Sequence, residues 1–266
     1  MTITASICTD IYAMIFLCII IWLANRNPIG NKYNNKIYIF MSVLTIVLLV
    51  LEILTVLIGL SNNTNLVIPH RIANVLGFAL CPVVPFILSN CNNYEKNGLK
   101  NRFHAIPLYI NAIMCIISYW TGWIFFVDDR NQYYRGNLFL IPMIISVFYF
   151  IRLLMDVKKS IFYNKNENNK FTILIFFLPM IGAILQITFK DILLIWGNMA
   201  ISLVLYYILL RELQFRYDAQ TGIKNRLAFE KEMEKYIKIS KNAAIVVLDI
   251  NYLKRINDKY GHKEGD

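Results

Sequence analysis

The sequence predicts two parts: an α-helical polytopic membrane domain of about seven transmembrane helices, followed by the beginning of an α/β domain. Composition indicates the membrane part, because 57% of the 266 residues are hydrophobic and the mean hydropathy is +0.49, whereas soluble domains contain about 45–50% apolar residues. The α/β part is indicated by a short β-branched run, Ala243–Leu248, that stops at the carboxylate of Asp249. Such a run is typical of a buried strand.

Apolar segments recur along the first 210 residues at lengths that approach the roughly 20 residues of a spanning helix. They are Ile11–Ala24 (extendable back to Thr4), Ile37–Leu60, Ile72–Ser89, Ala105–Val127, Asn137–Met155, Phe171–Thr188 and Ile192–Leu210. A longer first segment contains Asp10, and the sixth and seventh segments are separated by a very short link. A helical hairpin that does not fully cross is therefore an alternative. Pro82 and Pro85 predict a kink in the third segment.

The distribution of basic residues predicts the orientation of these segments. Loops 25–36, 90–104 and 156–170 together hold ten: Arg26, Lys32, Lys36, Lys96, Lys100, Arg102, Lys158, Lys159, Lys165 and Lys170. The opposite side holds four: Arg71, Arg130, Arg135 and Lys190. The bias places the N-terminus outside and the C-terminal domain in the cytoplasm. The same pattern explains the net charge of +10 without a nucleic-acid partner.

Two simple patterns argue against other classes of protein. Residues 1–10 contain no Lys or Arg, so no secretory signal peptide with a basic start is present. The five cysteines are scattered singly and form no CxxC pair, so neither a zinc site nor a disulfide framework is indicated.

Polar residues inside the predicted helices are costly and therefore mark candidate sites. Glu52, His70, Arg71 and Asn74 fall in the outer half of the predicted membrane domain, together with Gln186 and Lys190. They predict a candidate sensor pocket for an external or intramembrane ligand. The alternative is that they pair with one another or reach interfacial water. The sequence does not identify the ligand.

The seventh segment runs into residues 211–217 without Gly or Pro, which predicts a helical linker. Apolar or aromatic residues recur there at intervals of three and four: Leu203, Tyr206, Leu210, Leu213 and Tyr217. This spacing is that of a coiled-coil seam and would suit a dimer stalk. A short helical linker without a partner explains the pattern equally well.

Two dense motifs follow the linker. The first is Asp218-Ala-Gln-Thr-Gly-Ile-Lys-Asn-Arg-Leu-Ala-Phe229, and the second is Asp249-Ile-Asn-Tyr-Leu-Lys-Arg-Ile-Asn-Asp-Lys-Tyr-Gly-His-Lys-Glu-Gly-Asp266. In residues, order and spacing they resemble the start of a GGDEF domain, the catalytic domain of diguanylate cyclases. The resemblance implies a nucleotidyl-cyclase-like palm fold. It divides the chain into a sensor domain at 1–210, a linker at 211–217 and an incomplete GGDEF domain at 218–266.

The first motif also predicts local structure. Asn225 can cap the helix that follows, and the Thr221-Gly pair predicts a turn before it. One face of that helix carries Phe229, Met233, Tyr236 and Ile237, so we expect it to pack on the strand Ala243–Leu248. Gln220 and Leu227 depart from the family pattern at structural positions.

The second motif holds the candidate catalytic site. A carboxylate at a strand end suits Mg²⁺, and the resemblance implies that Asp249 and the main-chain carbonyl of Ile250 hold Mg²⁺ or Mn²⁺. Asn251 replaces a frequent second Asp of the family, so two adjacent carboxylates are not available. The remaining implied roles concern GTP: Tyr252 and Leu253 contact phosphates through main-chain N–H groups, Lys254 supports catalysis beside them, and Asn257 and Asp266 read guanine.

The resemblance implies a membrane-bound, signal-transducing diguanylate cyclase of the bacterial inner membrane. It would convert two GTP to cyclic di-GMP and pyrophosphate under control of the transmembrane region, as a homodimer joined through the seventh segment and the linker, in contact with membrane lipid. The alternative is a non-catalytic receptor with a degenerate GTP-binding GGDEF domain. A transporter would leave the second domain unexplained. Residues 1–266 contain no GGDEF string, so we expect this chain to be an inactive fragment with a partly ordered cytoplasmic segment.

Overall fold

The computed structural model describes residues 2–29, 32–61, 63–90, 103–164, 168–189, 193–216, 218, 221, 223–239, 244–249 and 251–261. The chain divides into two compact units, Met1–Leu210 and Arg211–Asp266. The first unit is helical, with one small hairpin between its helices. The described part of the second unit contains two helices separated by an extended stretch.

Long apolar helices form the first unit. In chain order they are α1 (Thr2–Arg26), α2 (Lys32–Leu60), α3 (Val67–Leu80), α4 (Val83–Asn90), α5 (Ile106–Thr121), α6 (Ile141–Asn164), α7 (Asn168–Thr188) and α8 (Ile195–Gln214). Within the described residues, three stretches are long and apolar enough to cross a membrane: Thr4–Arg26, Lys32–Leu60 and Thr64–Asn90. Shorter apolar helices occupy Ile106–Thr121, Ile141–Met155 and Thr172–Thr188. These helices are consistent with a membrane protein, and the count of seven crossings stays a prediction.

The predicted kink in the third segment is confirmed as a break between α3 and α4. Pro82 has no N–H to donate back to the preceding turn, so the carbonyl of Phe78 loses its usual helical partner. Asn111 of α5, which is fully buried, supplies the replacement. Its Nδ2 lies 3.0 Å from the Phe78 oxygen and 3.4 Å from the Ala79 oxygen. The side chain therefore stabilises the break.

A β-hairpin corrects the prediction of one continuous span over Ala105–Val127. Helix α5 ends at Thr121, where Gly122 adopts a left-handed φ of 71°. Strands β1 (Phe125–Val127) and β2 (Tyr133–Arg135) then pair antiparallel, with Phe125 opposite Arg135. The apolar composition of β1 conceals the change of structure, because two of its residues are buried against the helices. The sequence pattern therefore looks like the end of a helix.

Helix α8 packs inside the first unit. The Tyr38 hydroxyl donates to the main-chain oxygen of Leu203 at 2.9 Å, and the Ser202 hydroxyl donates to that of Ile175 at the same distance. Leu203 is fully buried and cannot contact a second copy of the helix. The helix ends at Gln214, and Tyr217 lies outside the described residues. Within the described residues the predicted seam is therefore reduced to Tyr206, Leu210 and Leu213, and dimerisation stays a prediction.

The second unit contains α9 (Arg226–Ile239) and α10 (Leu253–Tyr260). The predicted buried strand Ala243–Leu248 is wrong for its described residues, 244–248, which form no strand. Val246, Val247 and Leu248 are 78%, 85% and 90% exposed. A buried strand needs ladder partners on its edges and a covering face, and no described strand of this unit pairs with it. The apolar face of α9 is likewise exposed at Phe229, Tyr236 and Ile237, contrary to the predicted packing on a sheet.

Candidate functional site

The first motif folds into a tight turn that leads into α9. The Asp218 carboxylate accepts hydrogen bonds from the Thr221 N–H at 2.9 Å and from its hydroxyl at 2.8 Å. The Asn225 side chain accepts from the N–H of Ala228 at 3.0 Å, so the predicted cap of the helix is confirmed. The Asn225 amide also donates to the Phe215 oxygen at 2.6 Å. The motif thereby joins the end of α8 to the start of α9.

Ion pairs hold the same junction from the outside. Glu212 bonds Arg216 at 2.6 Å and lies 3.6 Å from Lys231 of α9. The hydrogen bond from Arg216 and the nearby positive charges keep the pKa of the Glu212 carboxyl below its usual value. Arg226 pairs with Glu230 at 2.8 Å along α9. Exposed pairs of this kind contribute only about 0.2–1 kcal/mol each, so they orient the junction more than they stabilise it.

The second motif forms a sharp turn and a short helix. Tyr252 has a left-handed φ of 63°, and its oxygen accepts from the N–H groups of Arg255 and Ile256 at 2.9 and 3.2 Å. Helix α10 therefore begins at Leu253, where the sequence predicts a turn into a helix. It ends at Gly261, whose φ of 88° suits a residue without a Cβ.

Four predicted site residues lie within this turn and helix: Tyr252, Leu253, Lys254 and Asn257. A fifth, Asp249, precedes the turn. The Asn257 side-chain oxygen is buried and has no hydrogen-bond partner among the described residues, which leaves an acceptor available at this position. Ile250 and Asp266 lie outside the described residues. Their predicted roles as metal ligand and guanine contact stay predictions.

The donor set at Asp249 suits a metal that is shared with a phosphate. No group of three or more His, Cys, Asp or Glu side chains occurs in the described part of the chain, so a site closed by protein side chains alone is not formed there. Mg²⁺ usually takes only one or two carboxylates, with phosphate oxygens and waters completing its shell. Asp249 fits that requirement as a single carboxylate.

A separate candidate site lies inside the first unit. Two cavities of about 170 and 150 Å³ adjoin there and share five lining residues: Phe78, Cys81, Gln186, Ile195 and Trp196. The larger extends between α6, α7 and α8 and is lined mainly by apolar side chains, including Met143, Phe150 and Met180. The smaller reaches α2 and α3, where Glu52 and Asn74 form part of its wall. We call the two together the sensor chamber.

The polar end of the sensor chamber is built around Gln186. Its side-chain oxygen accepts from the N–H groups of Leu194 and Ile195 at 2.9 and 3.0 Å, which fixes the amide orientation. Its nitrogen then faces Glu52, with Nε2 3.4 Å from Oε1. The other oxygen of Glu52 is buried and has no partner among the described residues. Asn74 donates to the main-chain oxygen of His70 at 2.9 Å.

The other two predicted pocket residues hold the β-hairpin. His70 is almost fully buried, and its Nδ1 lies 2.9 Å from Oδ1 of Asn131. Arg71 donates through Nη2 and Nε to the Val127 oxygen at 2.6 and 3.1 Å. Glu52, Asn74 and Gln186 thus line the chamber, whereas neither His70 nor Arg71 is among its lining residues. Lys190 lies outside the described residues.

Sequence reasoning did not identify Trp196, Cys81 or Arg135 as lining residues of the chamber. Arg135 donates to the Gln186 main-chain oxygen at 3.3 Å and lies over the Phe139 ring at 4.9 Å. Their neighbour Gln186 was predictable, because it is a polar residue in an apolar helix and such residues mark sites in membranes. No comparable signal distinguishes Trp196 from an interfacial aromatic residue.

Residues 215–266 match the sequence model of the family described as "Diguanylate cyclase, GGDEF domain". The C-terminal segment of the chain is therefore a GGDEF-family sequence. Among characterised proteins, the chain is similar to the diguanylate cyclase VdcA of Vibrio cholerae, with 38% identity over 50 residues, and to the diguanylate cyclase DgcS of Shewanella oneidensis, with 34% identity over 58 residues. It is also 40% identical over 55 residues to the cyclic di-GMP phosphodiesterase NbdA of Pseudomonas aeruginosa.

These similarities cover a limited part of each protein. The matches to NbdA, VdcA and DgcS span 19%, 19% and 20% of this chain, and 7%, 15% and 20% of the respective relatives. Each of these matches therefore covers about a fifth of this chain and a fifth or less of the relative. No solved structure matches the chain.

Proposed function

We propose that this chain contains a sensor domain and GGDEF-domain sequence of a membrane-bound diguanylate cyclase. Such an enzyme joins two GTP molecules to form cyclic di-GMP and pyrophosphate. The observation that carries the proposal is the GGDEF-family match over residues 215–266, together with relatives named as diguanylate cyclases. Under this proposal the first unit controls the activity of the second.

The proposed site uses the turn and helix of the second motif. Asp249 and the Ile250 carbonyl would hold Mg²⁺ or Mn²⁺, which would neutralise phosphate charge and orient the reacting groups. The N–H groups of Tyr252 and Leu253 precede the first turn of α10, where an anion is favoured. Lys254 would add positive charge beside the phosphates. Asn257 and Asp266 would bind the guanine edge, and the unpartnered Asn257 oxygen supports the first of these roles.

The proposed topology is seven crossings in a bacterial inner membrane, with the N-terminus outside and the catalytic segment in the cytoplasm. Three long apolar helices and three shorter ones support a membrane location. The excess of basic residues in loops 25–36, 90–104 and 156–170 supports the orientation. A cytoplasmic catalytic segment would meet its substrate, because GTP is a cytoplasmic metabolite. A homodimer would bring two GTP-loaded domains together.

A second candidate function is a signalling protein whose GGDEF segment does not itself synthesise cyclic di-GMP. The observation that favours it is the 40% identity of this segment to a protein named as a cyclic di-GMP phosphodiesterase. Asn251 in place of a carboxylate agrees with this alternative. Under it, the segment would bind GTP or transmit a signal.

The experiment that separates the two uses the longest natural protein that contains residues 1–266, purified in lipid nanodiscs and supplied with GTP and Mg²⁺. Cyclic di-GMP is measured by mass spectrometry for this protein and for its Asp249→Ala variant. The cyclase proposal predicts turnover that the variant loses by about a hundredfold or more, because a phosphate-bound metal loses its protein carboxylate. Asp258→Ala on α10, nine positions further on, is the matched control and should retain most activity. Equal turnover in protein and Asp249→Ala would remove Asp249 from the site.

A further inference from the structure

The sensor chamber has an asymmetric chemistry. Its larger part is lined mainly by Phe, Met, Pro, Val and Ile side chains on α6, α7 and α8, and two of its polar side chains already have partners. Ser146 donates to the Pro142 oxygen at 2.8 Å, and Arg135 is bonded to Gln186 and stacked on Phe139. This part of the chamber therefore favours an apolar body.

The opposite end presents hydrogen-bond acceptors. Gln186 is held by two N–H groups, and its own N–H is directed to Oε1 of Glu52. Oε2 of Glu52 remains buried without a partner in the part of the chain that the structure describes. The Asn74 amide donates one N–H to the main-chain oxygen of His70 and keeps a second N–H and its oxygen. A ligand that meets the free oxygen of Glu52 has to bring a donor.

A buried acidic residue near this end of the chamber also favours a positively charged ligand. Asp10 of α1 is fully buried, and neither of its carboxylate oxygens has a partner among the described residues. Its Oδ1 would lie 3.8 Å from a Cβ on Gly197, the residue after Trp196. Asp10 lines neither cavity, but a buried carboxylate without a positive partner is strongly unfavourable, so a cation bound near it would be stabilised. Trp196 and Phe78 line both cavities and are aromatic side chains of the kind that attract a cation.

An inorganic cation does not satisfy these observations. The described residues hold no group of three or more metal-ligating side chains, and most of the chamber wall is apolar. We propose that the sensor chamber binds an organic amine: an ammonium group hydrogen-bonded to Glu52 and an apolar, ring- or chain-like body between α6, α7 and α8. The inference deepens the sensor role proposed above and rests on it only for its biological meaning.

The test measures binding without reference to cyclase activity, so its failure would leave the cyclase proposal untouched. The probe is 2-phenylethylamine, compared with 2-phenylethanol and 3-phenylpropanoate, which carry a neutral and an anionic group on a similar body. Residues 1–266 are placed in phosphatidylcholine nanodiscs. Trp22, Trp120 and Trp123, all exposed, are replaced by Phe, so that Trp196 fluorescence alone reports occupancy. Empty nanodiscs correct for partition into lipid.

The proposal predicts saturable binding of the amine and affinities at least about tenfold weaker for the alcohol and the carboxylate. Glu52→Gln should weaken amine binding by about tenfold or more, whereas the matched control Glu230→Gln on α9 should leave it unchanged. Equal binding of the three probes, no saturable binding, or full affinity in Glu52→Gln would overturn the proposal.

A second variant keeps the test decisive if Glu52→Gln lowers the melting temperature. Gly77 lines the smaller cavity, and a Cβ at this position meets no atom within 4 Å. The Cβ of Gly77→Leu therefore meets no clash and its side chain should occupy the smaller cavity, and leucine favours the helix more than glycine does. The variant should keep its melting temperature and lose amine binding. Unchanged affinity in a folded Gly77→Leu protein would exclude the chamber as the binding site.

Discussion

Asn131 is the residue whose replacement should destabilise the hairpin most clearly. It is fully buried and adopts a left-handed φ of 65°. Its Nδ2 donates to the Ile58 oxygen at 2.7 Å, so its Oδ1 accepts from Nδ1 of His70 at 2.9 Å. One side chain thus connects the hairpin turn to both α2 and α3. We expect Asn131→Ala and Asn131→Gly to separate its two contributions.

The expected magnitudes follow from these contacts. Both variants leave the buried His70 N–H without an acceptor, at a cost of about 1–3 kcal/mol, whereas the Ile58 oxygen keeps its bonds to Ser61. Alanine adds about 1–2 kcal/mol because its Cβ is disfavoured at positive φ, and glycine avoids that cost. We therefore expect a loss of about 2–5 kcal/mol for Asn131→Ala and a loss smaller by about 1 kcal/mol for Asn131→Gly.

Equilibrium unfolding in mixed dodecyl maltoside and sodium dodecyl sulfate micelles measures these differences. The exposed Asn65→Ala variant serves as the control and should change stability by less than about 0.5 kcal/mol. If Asn131→Ala and Asn131→Gly were equally stable, the left-handed backbone would not contribute. If neither differed from the parent protein, the bonds to His70 and Ile58 would carry no net stability, and the reasoning would be refuted.

Three further predictions concern other parts of the chain. Reporter fusions after residues 34, 92 and 164 should all report a cytoplasmic location, and an external signal at any of them would exclude the seven-crossing topology. Asn111→Leu should destabilise the first unit by about 1–3 kcal/mol, because the Phe78 carbonyl at the helix break loses its donor; an unchanged unfolding midpoint would contradict this. Since Arg216 lowers the pKa of Glu212, their contact should persist above the unfolded pKa of about 4.3 and be lost as pH falls through the lower folded value. Arg216→Gln should raise the pKa of Glu212, as measured by carboxyl chemical shifts, and an unmoved titration would show that Arg216 is not the cause.

The sequence predicted the helices of the first unit well because their signal is local. Runs of apolar residues such as Ile37–Leu60 are dictated by composition alone, and the observed helix, Lys32–Leu60, differs from the prediction only at its start. The break at Pro82 was also predictable, since proline removes a specific hydrogen bond. The role of Asn111 was not, because its partner carbonyls lie more than thirty positions earlier in the chain. That contact exists only once α5 packs against α3.

The candidate sites also differ in whether their contacts are local in the sequence or join distant segments. The turn at Asp218 and the cap at Asn225 depend on residues a few positions apart, and the sequence predicted both a turn and the cap. The sensor chamber is lined by six helices, so polar residues in apolar segments could nominate Glu52 and Asn74, but the sequence could not exclude His70 and Arg71. Those two residues contact a hairpin turn that the apolar pattern concealed. The strand Ala243–Leu248 was predicted from β-branched composition, which does not provide a pairing partner.

The exposed residues at the end of this run affect how the protein behaves in a test tube. Four consecutive large apolar residues, Ile245 to Leu248, are 60–90% exposed, and the main chain there forms no ladder within the described structure. A β-branched segment with open backbone groups is a template for intermolecular pairing and for cross-β aggregation. Purified material should therefore self-associate as its concentration rises, even in a detergent that fully covers the membrane helices. A lysine at Val247 would interrupt the apolar run and should improve solubility without touching the sensor chamber.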